Sequence, residues 1–113
     1  SFPTRRSSDL HAHRMETIGK AVDAGVPIYA GTDAGGTIEH GLIASEVRLL
    51  AAVGGAEMAL GAASWRARAW LGGEQLGIGD SADLLVLDRD PRMGVRVLES
   101  PMHILLRGRV VIR

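Results

Sequence analysis

Apolar positions recur at helical spacing from Met15 to Ala24 ("METIGKAVDA"). Met15, Ile18 and Val22 form one stripe there, and Gly25 follows as a stop. "VPIYA" (Val26–Ala30) is a short apolar run of β-type residues, which predicts a buried strand ending in the loop "GTDAGG". Leu42, Ile43, Val47 and Leu50 restore a helical period, Gly54-Gly55 interrupt it, and "AEMALGAASWRARAWL" predicts a second helix from Ala56 to Leu71. The texture then changes: "ADLLVLD" (Ala82–Asp88) predicts a strand, "RDPRMG" a turn, and "HILLRGRVVIR" two strands around Arg107-Gly108. No internal repeat is present, and two architectures meet near Gly72–Gly79. A buried apolar strand needs partners on both edges, and parallel partners arrive through crossovers of a dozen or more residues. Only one clear strand precedes residue 80, so the first half reads as the last βα unit of something larger.

Composition narrows the function classes. The 113 residues are 46% hydrophobic and 23% charged, which is globular. Thirteen basic and thirteen acidic side chains cancel, leaving no field to attract nucleic acid or an anionic membrane. The absence of cysteine removes disulfides, thiolate metal ligands and thiol nucleophiles. No apolar run approaches the ~20 residues needed to span a bilayer. The expected partner is a small-molecule substrate, with neither nucleic acid nor membrane, and the expected setting is cytoplasmic.

Asp33 follows the apolar run inside a glycine-rich loop, with a helix next. In α/β folds chemistry gathers at the carboxyl ends of strands, where a carboxylate can ligate a divalent cation and accept a proton from metal-bound water. The plainer reading is a turn or helix cap, because Asp and Gly are common turn formers. The loop matches neither the P-loop nor the dinucleotide fingerprint.

Four ordered motifs shift that balance. "AGVPIYAGTDAGG…HG", "AEMALGAASWRARAWLG", "GIGDSADLLVLDRDPR" and "HILLRGRVVIR" together resemble the last barrel strand, the following helix and the closing strands of the amidohydrolase superfamily. The similarity is to its imidazolonepropionase-like and prolidase-like branch and spans about residues 15–113. It implies a C-terminal fragment of a metal-dependent (β/α)8 barrel hydrolase plus the C-terminal strands of its small composite β-sandwich. The expected division is 1–10 non-native, 11–72 barrel portion and 73–113 β-rich portion. By resemblance, Asp33 is both metal ligand and general base for hydrolysis of a C–N bond. The metal is a divalent ion, most often Zn2+, one or two in a parent whose homo-oligomeric state stays open. A truncated chain with one ligand is expected to be inactive by itself. A His-Gly like His40-Gly41 often follows the metal Asp in this family, which makes His40 a candidate substrate contact; the alternative is a cap.

His11 and His13 form the His-x-His pair that this family places at the end of its first strand. Here polar "RRSSDL" precedes them, and only 19 residues separate His13 from Asp33. They are expected to be solvated histidines at the start of a helix and not ligands. Asp83 resembles a structural Asp, Arg66 and Arg68 are expected to be solvated or paired, and Trp65, Trp70, Met58, Leu60 and Leu71 to pack a helix. The rival reading is a self-sufficient α/β binding module whose glycine-rich loop holds an anion at a helix N-terminus.

"SFPTRRSSDL" equals the translation of a common sequencing-library adapter, TCT TTC CCT ACA CGA CGC TCT TCC GAT CT, read in one frame. Residues 1–10 are therefore set aside from fold reasoning. Resequencing the source locus is expected to replace these codons with unrelated ones; a genomic codon run for Ser1–Asp9 would overturn the adapter origin.

Overall fold

In a computed structural model, which describes residues 2–73 and 75–112, the first helix begins far upstream of the apolar stripe. This helix, α1 (Phe2–Asp23), runs through Leu10 without a break, because neither Gly nor Pro lies between Thr4 and Ile18 to end it. It stops where the sequence says. Gly25 takes φ +78°, its N–H bonds the Val22 carbonyl at 3.0 Å, and Val26 N–H bonds the Ala21 carbonyl at 2.9 Å. This is a Schellman closure, which needs a left-handed residue at that point.

The remaining helices are α2 (Ile43–Gly54), α3 (Ala56–Ala63) and α4 (Trp65–Trp70). The break at Gly54-Gly55 falls as expected. Gly55 adopts φ +89°, and a Cβ on Gly54 would press on the Met58 side chain and come within 3.2 Å of Val22. Hydrogen at Gly54 thus allows α1, α2 and the start of α3 to approach closely. The single helix expected over Ala56–Leu71 is two, because Ser64 leaves helical geometry (φ −137°, ψ −102°) and turns α4 away from α3.

Three strands, β1 (Leu84–Val86), β2 (His103–Leu106) and β3 (Arg109–Ile112), form an antiparallel sheet in the order β1-β2-β3. Leu85 pairs with Ile104, and a register shift between Ile104 and Leu105 bends β2 against β3. A 3-10 helix (Val95–Glu99) lies between β1 and β2. Its Val95 joins Val47, Leu50, Ala59, Leu60 and Ala62 in the buried core, with Ile28, Ala30 and Leu98 packed alongside. One buried cluster is thus shared by the helices and the segment between β1 and β2.

The expected barrel and sandwich are not what folds. The described residues form four α-helices with a three-stranded antiparallel sheet, and not a piece of a (β/α)8 barrel. Val26–Ala30 is extended, but its backbone bonds run from Val26 to the end of α1 and from Ala30 N–H to the Ala62 carbonyl at 2.9 Å. A helix end offers one acceptor where a neighbouring strand would offer a ladder, so the run is held as an anchored extended segment.

The tight α2–α3 contact makes a direct expectation. Leu50→Ala should cost about 2–5 kcal/mol in urea unfolding by leaving a cavity, whereas Leu49→Ala, 45% exposed on the same helix, should change stability by less than ~0.5 kcal/mol.

Candidate functional site

Asp33 lies in the loop between the anchored segment and α2. Thr32 and Ala34 are half-buried, while Gly31 and Asp33 face solvent. Asp33 adopts φ +54°, a left-handed conformation that Asp tolerates better than branched residues do. Among the described residues its carboxylate has no hydrogen bond or ion pair. It is not capping α2: the N-cap of that helix is Leu42, with no side-chain cap bond.

The loop doubles back on itself. Gly35 N–H bonds the Ile38 carbonyl at 2.8 Å, and the two residues form an isolated antiparallel bridge. Gly35 and Gly36, at φ +110° and +70°, supply the positive φ values that so tight a reversal needs. Asp33 and His40 each lie two residues outside a bridge partner, one on either arm of the turn, and Asp33 at φ +54° has already left the extended geometry that would carry the pairing outward. His40 is exposed in the bend before α2 and is not its cap, since the N-cap is Leu42. The loop thus brings one free carboxylate and one imidazole to the two arms of a single turn.

His11 and His13 are exposed, as expected of solvated histidines, but they sit within α1 and not at its start. Two residues apart on a helix, they face in different directions and cannot chelate one ion together. Among the described residues no group of three or more His, Cys, Asp or Glu is placed to hold a metal. The anion-binding reading finds little support, since Asp33, Glu39 and Glu46 put negative charge along the loop and the first turn of α2.

Other charged groups are committed to structure. Asp83 Oδ1 accepts the Arg107 N–H at 2.8 Å, at the φ +52° residue of the β2–β3 turn. That bond, with one from Ser81 and the nearby Arg68 and Arg107 charges, holds its carboxyl below the usual range. Asp90 is pulled down to about 2, first by side-chain bonds from Arg92 at 2.7–3.1 Å and then by the Arg92 N–H. Arg66 is exposed, while Arg68 reaches the Asp83 carbonyl at 2.7 Å. Met58 and Leu60 pack as expected, but Trp65, Trp70 and Leu71 do not join the core, at 42%, 66% and 74% exposed. Trp70 instead stacks on Tyr29, ring centroids 4.6 Å apart. No sequence pattern pointed to this pair, because the helix break at Ser64 creates it.

The chain is 54% identical over 102 residues to uncharacterized proteins of Mycobacterium tuberculosis and Mycobacterium bovis, a match covering 89% of this chain. It spans only 28% of the length of these relatives. No family model matches the chain. No solved structure matches it either. No helix among the described residues is long and apolar enough to cross a membrane.

Asp83 has a pH signature. A carboxyl depressed in the folded state adds stability above its unfolded pKa, near 4, and loses it as pH falls through the lower folded value. The melting temperature should therefore drop on acidification below about pH 4, and drop less steeply in Asp83→Asn, in which the acceptor oxygen remains but does not titrate. Identical slopes in a thermal melt series would show that the Asp83–Arg107 contact carries no such linkage.

Proposed function

We propose that the chain supplies the general base and one metal ligand, Asp33, of a hydrolase cleaving the C–N bond of an amide, cyclic amide or dipeptide-type substrate. The observation that carries this reading is a solvent-facing, unengaged carboxylate on one arm of a turn whose other arm bears an imidazole. The reaction class is taken from the resemblance of four ordered motifs to segments of amidohydrolases.

A divalent ion at such a site would polarise the carbonyl and lower the pKa of an attacking water. Asp33 takes the proton released by that water and returns it to the departing nitrogen, a role suited to a solvent-reachable carboxylate free of competing partners. His40, on the opposite arm, orients the substrate. Asp33 is one donor of suitable type, short of the three or four that a hydrolytic site needs. The matched relatives are several times longer than this chain, and the remaining donors are assigned to the part of such a polypeptide outside the matched stretch.

The test joins two measurements. In a chimera of the Mycobacterium tuberculosis relative with this chain in place of the matched stretch, Asp33→Asn should lower hydrolysis of a panel of dipeptides and cyclic amides by about 10²–10⁴-fold, with His40→Ala acting mainly on KM. In calorimetry, the 113-residue chain should show no stoichiometric zinc binding tighter than micromolar. Unchanged turnover in the Asp33 variant, or tight stoichiometric zinc on the chain alone, would overturn the proposal.

A further inference from the structure

A cleft separate from the Asp33 loop opens between the helices and the sheet. Its volume is about 770 Å³, within the ~300–1,000 Å³ typical of small-molecule sites. Val47, Leu60 and Trp65 wall it on the helical side, and Leu87, Leu98 and Ile104 on the other. Asp33 and His40 are not among its lining residues.

The polar groups of the cleft differ in how far their bonding capacity is used. Asp90 and Arg92 neutralise each other through paired short bonds. The Asp83 carboxylate accepts the Arg107 N–H and keeps its charge, which the nearby Arg68 and Arg107 guanidinium groups share. Arg68 is half-buried and spends one of its donors on the Asp83 carbonyl, at 2.7 Å. Among the described residues it makes no other side-chain hydrogen bond and no ion pair within 4.0 Å. A guanidinium carries five N–H donors in a planar fork, and the bond to Asp83 fixes its plane while leaving donors available. Apolar walls with one oriented, partly desolvated cation match a ligand with an apolar body and a single carboxylate.

We infer that this cleft binds an amphipathic monocarboxylic acid, its acyl or aryl body against Val47, Leu60, Trp65 and Leu98 and its carboxylate on Arg68. The bond to the Asp83 carbonyl joins α4 to the residue that precedes β1.

Trp65 in the wall gives a direct optical reading. Trp70 is the second of two tryptophans, and Trp70→Phe leaves Trp65 as sole reporter while keeping a ring on Tyr29. In that background, decanoate should produce a saturable change in Trp65 emission at submillimolar concentration. Decanol and decylamine should bind at least tenfold more weakly. Arg68→Met should weaken decanoate at least tenfold and leave decanol unchanged, and Arg68→Lys should restore part of the difference. Equal binding of decanoate and decanol by the Arg68 protein, or no saturable signal with decanoate, would overturn the assignment. Since that ligand comparison needs no substitution at Arg68, loss of folding in Arg68→Met would leave the test intact.

Discussion

The packing of α2 on α3 is the constraint from which the rest of this fold hangs. Val47 is 1% exposed and Ala59 and Ala62 are fully buried, so the two helices meet through small side chains at close range. Close packing of this kind leaves few voids and gains dispersion contacts from every neighbouring atom. Gly54 and Gly55 make the approach possible by omitting a Cβ and by taking a left-handed turn. The same contact places the Ala62 carbonyl at the end of α3, where it accepts the Ala30 N–H and so positions the segment leading into the Asp33 loop. Val95 closes the core from the far side and ties the sheet-bearing half to the helices.

The acidic residues divide by what they already hold. Asp83 and Asp90 are bound to backbone amides and guanidinium groups, which lower their proton affinity and make them parts of the scaffold. Asp33 faces solvent without such a partner among the described residues, at a backbone conformation supported by neighbouring glycines. A carboxylate held in a defined place but not consumed by structure is what proton transfer or cation ligation calls for. This contrast separates Asp33 from Asp83 and Asp90, whereas its place in the glycine-rich turn separates it from other exposed acids such as Asp23.

Legibility of the site from sequence was uneven. Asp33 and His40 stood out as residue types, but their placement on the two arms of one turn depends on the Gly35–Ile38 bridge. Arg68 carried no signal beyond its charge: only the break at Ser64 and the placement of β1 bring its guanidinium to the Asp83 carbonyl. The Tyr29–Trp70 stack is similarly a product of that break. His11 and His13 gave the opposite lesson, since a ligand-like spacing in a strand is a non-chelating spacing in a helix.

By itself, the sequence determined the local elements: the Gly25 stop, the α2 helix and its end at Gly54-Gly55, the Arg107-Gly108 hairpin and the strand before it. Each follows from short-range physics, namely periodic burial, the left-handed freedom of glycine and β-branched pairing. Tertiary structure alone decided whether Val26–Ala30 became a strand, because strand formation needs a partner edge and the nearest acceptor is the Ala62 carbonyl of a helix. It also decided that the described residues form an antiparallel sheet beside four helices and not a barrel piece. Motif order constrains which elements occur, whereas their pairing depends on which hydrogen-bonding edges lie within reach.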